Sequence, residues 1–360
     1  MSPSSSPGSH LPRARHEHLL RELELRGSVR ASTIAEELGV TEVTIRRDII
    51  KLEQAGHLAR VHGGAISANA TTRPDPAQTL VGLVLPGSGS HFPDVVRGAR
   101  TAAKKLRARL VLTSTNYRAS TERRQVLQLL ELGIEGLIIA PTLRDRDMDD
   151  LVATLARVPI PVVLLERNLE RSTVLAGYDW VRTDLTRGRL LALEHLAIHG
   201  HRRVGLALLD RTPTAPSIRE GYERACARLG LEAMPARSLP KDDGGPDDPV
   251  DAALEMFLGD CISGGVTAVL VHTDHYAARL VEIALDRGVR VPEDLAVIAH
   301  DDEVAQHGIV PLTAVSPPGR EVGQVAVQTL FDRLRAEEPA SMPPRHVHIA
   351  PRLVIRRSSR

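Results

Sequence analysis

Aromatic residues are nearly missing from this chain, with three Phe, four Tyr and one Trp among 360 residues. That scarcity makes the position of each ring informative. Cysteine is scarcer still: Cys226 and Cys261 supply no disulfide framework, no metal-ligand spacing and no nucleophile motif. Both are expected as small buried residues in a reducing, cytoplasmic setting. No stretch approaches the roughly 18 consecutive apolar residues of a membrane span, so no membrane partner is expected. Residues 1–12 are rich in Ser, Pro and Gly and lack an apolar segment, which reads as a disordered tail rather than a secretion signal. Dinucleotide and nucleotide phosphate loops (GxGxxG, GKS/GKT) and the GxSxG elbow are all missing, and no cofactor is expected. His16-Glu17-His18 and His346-Val347-His348 each lack a third clustered ligand, so they read as solvated surface and no metal site is expected. A strong charge of either sign is also lacking, since the formal net charge is +1. Any nucleic-acid footprint must therefore be local and one-sided.

What the chain does have, at Thr41 to Gly56, is a short segment suited to an anionic partner. At about 100° per residue, Ile45, Ile49 and Leu52 share one helical face, and the opposite face carries Val43, Thr44, Arg47 and Lys51. Arg47 and Lys51 stand at i,i+4, where like charges repel, and a phosphate backbone reverses that sign. Thr41 suits the N-cap, Glu42 the positive helix end and Gly56 a left-handed stop. Upstream, Ala31–Leu38 forms a second short helix joined through Gly39-Val40, which is helix-turn-helix spacing. Leu19, Leu20 and Leu23 give a third helix over His16–Arg26. Downstream, His57–Ile66 alternates around a Gly-Gly turn and reads as a β wing. From Val43 to His62 there are four basic and two acidic residues.

These residues resemble the winged helix-turn-helix of DeoR-type bacterial repressors, whose TIRRDL, LE, G and HGGA pattern is matched by Thr44–Ile49, Leu52-Glu53, Gly56 and His62–Ala65. The resemblance implies double-stranded operator DNA as partner. Val43, Thr44 and Arg47 are placed at base edges and Arg46, Lys51, Arg60 and His62 at phosphates, with Thr41 capping the helix beside them.

Residues 67–79 are polar, hold two prolines and show no period, so they read as a linker between a 13–66 DNA-binding domain and a larger one spanning 80–355. From Leu80, short apolar runs alternate with helical segments: 80–85, 109–114, 136–140 and 161–165, then 203–208, 268–272 and 295–300. That pattern predicts parallel sheets built from βαβ units in two successive lobes, about 80–180 with 315–336 and about 181–314 with 337–355. The fold class is α/β, an N-terminal winged helix-turn-helix followed by a two-lobed domain. Ligands of open α/β sheets bind beyond the carboxyl ends of strands. Ser90, His91 and Phe92 follow the first strand, Asn116 and Tyr117 the second, and Glu166 and Arg167 the fourth. Phe92, Tyr117, Trp180 and Tyr276 are aromatics near strand ends, suited to stacking on a sugar face.

The same region resembles the effector-binding core of LacI/GalR repressors, of periplasmic-binding-protein-like fold. The supporting pieces lie in family order, among them Gly136–Pro141, Pro161–Arg167, Asp184 with Gly188, Gly200–Val204, Arg219–Tyr222, Val291–Asp294 and Asp301-Asp302. The resemblance implies that Asp184, Arg219 and Asp301 hydrogen-bond a small polyhydroxylated effector, in the manner in which carboxylates and a guanidinium pair with vicinal hydroxyls. Thr273-Asp274 replaces the usual Asn-Asp, and His300 replaces the commoner aromatic before Asp301. The expectation is a cytoplasmic homodimeric repressor whose operator affinity a carbohydrate-like metabolite modulates allosterically. The alternative is an enzyme or sensor acting on sugar phosphates, the usual partner of a DeoR-type head; no catalytic pair is recognisable.

Overall fold

The computed structural model describes residues 12–26, 28–55, 57–61, 63–67, 78–87, 92–144, 146–241 and 249–360. The expected roles of His62, Ser90 and His91, residues 1–11 of the expected tail, the Gly56 stop and most of the linker fall on residues outside this set, while Pro12, expected in the tail, opens the first helix.

Gly39 sets the front of the chain. Its φ of +62° lets α2 (Ala31–Leu38) turn into α3 (Glu42–Gln54), a backbone state that costs a side-chain-bearing residue more. Before them come α1 (Pro12–Arg26) and β1 (Ser28–Arg30), and after them β2 (Leu58–Val61) and β3 (Gly64–Ser67). The strands form an antiparallel sheet in the order β1-β3-β2, one strand more than the expected wing. Leu19, Leu23, Ile34, Ile45, Ile49, Leu52 and Leu58 close the core, each worth about 1.5–3 kcal/mol when fully buried. Gly64 is required where the sheet closes, because a Cβ there would sit 1.9 Å from the Val29 carbonyl oxygen.

The α/β part runs β4 (Thr79–Leu85), α4 (Phe92–Lys105), β5 (Ala108–Ser114), α5 (Ala119–Glu131), β6 (Gly136–Ile139), α6 (Met148–Leu155), β7 (Val162–Leu165), β8 (Asp179–Thr183), α7 (Leu185–Ile198), β9 (Arg203–Leu208) and α8 (Ala215–Leu229). It continues through β10 (Glu232–Ala233), β11 (Arg237–Ser238), α9 (Pro249–Ser263), β12 (Ala268–His272), α10 (Asp274–Asp286), β13 (Ala296–His300), β14 (Thr313–Ser316), α11 (Gly319–Leu334), β15 (His346–Ile349) and β16 (Arg352–Val354). One sheet has the order β15-β8-β7-β6-β4-β5, the other β10-β9-β12-β13-β14-β16 with β11 also on β9. The registered pairs in both are parallel except β14 with β16. The closing segment, expected whole in the second lobe, divides: His346–Ile349 pairs with β8 and Arg352–Val354 with β14.

The chain falls into two compact units, Met1–Ser88 with Arg100–Val163 and Val327–Met342, and Gly89–Ala99 with Leu164–Ala326 and Pro343–Arg360. In the second, strand residues alternate faces with period two. Val269, Val271, Val297 and Ala299 pack with α9 and α10, while Ala268, Leu270, Ala296 and Ile298 pack with α7 and α8. Cys226 and Cys261 lie in these cores, and burial raises their thiols to about 11 and about 12. That is the inert role expected of them.

Candidate DNA interface and effector site

The outward face of α3 holds the cations. Thr41 caps the helix, its Oγ1 accepting from the Thr44 N–H at 3.3 Å, and the two hydroxyls lie 2.9 Å apart. Val43 is 59 % exposed on the same face. Arg47 and Lys51 are exposed and have no carboxylate partner among the described residues. Two more of the expected phosphate contacts are partly neutralised: Arg46 donates to Glu42 at 2.6 Å, and Arg60 lies 3.7 Å from Glu53. Both pairs are solvent-exposed, so each contributes little and yields readily to a stronger anion.

Sequence reasoning missed what seats this helix. Asp48 is 2 % exposed and accepts from Arg15 Nε at 2.8 Å and from His16 Nε2 at 3.1 Å, bolting α3 to α1. Burial alone would raise the carboxyl, but hydrogen bonds and charge from Arg15 and His16 outweigh it and hold the group below its ordinary value. The signal was present: 45, 48, 49 and 52 form one stripe, and a carboxylate on a buried stripe demands a cation. His18 is likewise engaged, 3.3 Å from Glu37.

In the α/β part, the backbone is unusual at strand ends. Among the described residues five non-glycines have positive φ, and four follow a strand directly or within three residues: Asn116 (50°), Tyr117 (57°), Glu166 (50°) and Asp301 (71°). Such conformations cost about 1–3 kcal/mol each and concentrate at functional sites. Asn116 and Tyr117 are exposed at the end of β5, and Asn116 Oδ1 accepts from Ser114 at 3.3 Å.

Within the second unit, the ends of β9, β12 and β13 gather one connected cluster. His272 and His300 are register partners with ring centroids 5.2 Å apart. Arg189, from α7 and only 1 % exposed, donates to His300 Nδ1 at 2.6 Å, while His300 Nε2 lies 3.6 Å from Asp301. Burial lowers Arg189 to about 10 and Asp301 counters the shift, so the guanidinium stays charged at neutral pH. His272 is pushed down to about 3 by burial and by Arg189, with Asp210 opposing. Arg219 in turn donates to Asp210 at 2.7 Å. His272, His300 and Asp301 bring ligand-type atoms within 4.8 Å of one another. A divalent cation fits poorly there: arginine only donates, so neutral His300 carries its proton on Nε2, and a fixed positive charge already sits beside the ring.

Of the other expected residues, Thr273 stays beside the cluster and most face elsewhere. Asp274 is fully buried, and its Oδ2 accepts from the N–H groups of Glu303, Val304 and Ala305 at 2.7, 2.6 and 3.1 Å, clamping the loop after Asp301. Tyr276 belongs to an apolar core, its hydroxyl donating to the Pro240 carbonyl at 3.2 Å. Phe92 is buried at the start of α4, and Arg167 is buried with Nη1 donating to the Glu166 carbonyl. Thr273 is half-buried at the N-cap of α10 without a capping bond. Trp180 lies within β8, stacked on His346 at 4.6 Å and under Arg182 at 4.2 Å. Asp184 caps α7 through the Arg187 N–H at 2.8 Å and lines a different pocket, with Glu166, Arg182 and His348.

Both parts of the chain resemble known proteins. The chain matches the family model of DeoR-like helix-turn-helix domains over residues 15–71 and that of periplasmic binding protein-like domains over residues 193–359. It is 27 % identical over 338 residues to the arabinose metabolism transcriptional repressor of Geobacillus stearothermophilus, covering 91 % of this chain and 90 % of that protein. It is 23 % identical over 321 residues to the transcriptional repressor PurR of Photobacterium profundum, covering 89 % and 90 %. Among solved structures, the lac repressor dimer bound to operator and an anti-inducer aligns with a TM-score of 0.65 and 21 % identity, covering 81 % of this chain and 97 % of that one. The regulator CelR in complex with cellobiose gives 0.64 and 21 %, covering 88 % and 90 %. No helix among the described residues is long and apolar enough to cross a membrane. With a DeoR-like helix-turn-helix head joined to a periplasmic-binding-protein-like domain, the chain is a DNA-binding transcriptional regulator.

Proposed function

We propose that this regulator is a cytoplasmic, homodimeric repressor that senses a small uncharged carbohydrate or related polyol. Two heads would read the half-sites of a pseudo-palindromic operator, spaced by about one helical turn or a multiple. Val43, Thr44 and Arg47 are assigned to base edges, and Lys51, Arg46, Arg60 and His62 to phosphates. Arg219, Asp301 and Thr273 are assigned to the effector, supported from beneath by Arg189, Asp210 and the two histidines.

The observation that carries the reading is the charge balance of the strand-end cluster. Arg189 and Arg219 are matched by Asp301 and Asp210, and His272 is held neutral. Such a site offers donors and acceptors with no excess charge, which suits hydroxyl groups. Cellobiose, bound in the CelR complex, is of that chemistry. His272 is also a poor general base at a pKa of about 3, which favours sensing over turnover.

The test separates two activities in the full chain. Neutral sugars are screened by thermal shift, and each hit is added to an operator-binding assay. Asp301→Ala and Arg219→Ala should abolish the sugar shift and keep operator binding, while Arg47→Ala should do the reverse. Release of a reaction product from any hit, or loss of both activities together in the folded variants, would overturn the reading.

A further inference from the structure

A second pocket, of about 550 Å³, opens against the first turn of α7 and one face of α8. It shares no lining residue with the strand-end cluster formed by Arg189, Asp210, Arg219, His272, His300 and Asp301. Its four carboxylates are already answered. Glu166 accepts from the Thr183 N–H and hydroxyl at 3.1 and 2.8 Å, Glu170 from Arg182 at 2.9 Å, Asp184 from the Arg187 N–H at 2.8 Å, and Glu220 from Arg224 at 2.6 Å.

Its cations are not used up in the same way. Arg187 and Arg228 have no carboxylate partner among the described residues. Arg182 is 11 % exposed in its side chain; its Nε donates to His348 at 2.8 Å and its Nη2 to Glu170, leaving Nη1 buried without an acceptor. The Asp184 cap serves only the Arg187 N–H, and a helix start has no internal acceptor for the N–H groups of Leu185 and Thr186. Two guanidinium groups free of carboxylates among the described residues and a positive helix end therefore line the same pocket, with Arg182 buried behind them.

We propose that this pocket binds a small phosphate monoester as a second effector, separate from the neutral sugar assigned to the strand ends. A phosphate dianion pairs with paired guanidinium forks as a neutral hydroxyl cannot. Asn168, Thr214 and Ser217 on the same wall offer amide and hydroxyl contacts for a polyol body.

The experiment is calorimetric titration of the full chain with glucose 6-phosphate, inorganic phosphate and glucose. The phosphorylated probe should bind saturably at millimolar concentration or below, inorganic phosphate should compete with it, and glucose should not. Arg187→Ala combined with Arg228→Ala should weaken it by about tenfold or more, with the thermal unfolding profile unchanged. Arg202→Ala, an exposed arginine outside the pocket, should leave it as it was. Equal binding by the double variant, equal weakening by Arg202→Ala, displacement by glucose, or absence of binding would each overturn the proposal.

Discussion

On α3, Arg47 and Lys51 stand in solvent with no carboxylate partner among the described residues, whereas in the second unit Arg189 is 1 % exposed and donates a hydrogen bond to a neutral ring. A polyanion is best met by charges left unpaid at home, because binding releases counterions and gains from every free cation. An uncharged ligand is best met by donors and acceptors whose charges already cancel, since any surplus would have to be desolvated. The same side chain thus serves two chemistries, and its local partners decide which.

The strongest way to break this contrast is to remove the anchor of the DNA head. Asp48→Ala removes the buried carboxylate to which Arg15 and His16 donate and should cost the head about 3–5 kcal/mol, abolishing operator binding while the sugar-dependent thermal shift persists. Hydrogen exchange resolved by domain reads this directly. Acid should act through the same group: with Asp48 depressed below 3.8, its contribution is whole above that pH and is lost as pH falls through the lower folded value.

Next in size is the outward face. Arg47→Ala should weaken operator binding by about 1–3 kcal/mol and relax preference at the contacted base. Lys51→Ala should weaken all sequences alike and reduce the salt slope by about one. If both behave as Lys51, the assignment of Arg47 to a base edge is wrong.

A smaller effect probes the interior. His272, ordinarily near 6.5, is held at about 3 in the fold, so the unfolded chain binds a proton first. Its stabilising share is present above pH 6.5 and declines as pH drops toward 3, by one proton's slope. His272→Gln should flatten that slope in urea unfolding measured across the range; an unchanged slope would show that another group titrates.

The smallest change sharpens the contrast. Glu42→Gln frees Arg46 from its exposed partner and should improve operator affinity by less than about 1 kcal/mol. Anisotropy titration at low salt has the precision to see it.

Much of this was legible from spacing. Apolar periodicity placed α2, α3 and most strands to within a residue or two, because burial on one face repeats at 3.6 or at 2. α9 was passed over although Leu254, Phe257, Leu258 and Cys261 mark its buried face at helical intervals. Arg189 was invisible for a different reason. An arginine in a helix is ordinarily solvated, and only the packing of α7 against α8 and the sheet end shows this one facing inward. Asp274 and Tyr276 were found at the right strand end and given the wrong direction, since chain position fixes the neighbourhood of a side chain and not where it points.

The bolt between Asp48 and α1 has a consequence for how such a head can change its target. Because a buried carboxylate and three apolar side chains set the roll of α3, the exposed Val43, Arg47 and Lys51 take no part in seating it among the described residues. Those positions are free to be rewritten for a new DNA address at little risk to folding. Diversifying them in a display library is a direct route to regulators that keep this sensor and answer to another promoter.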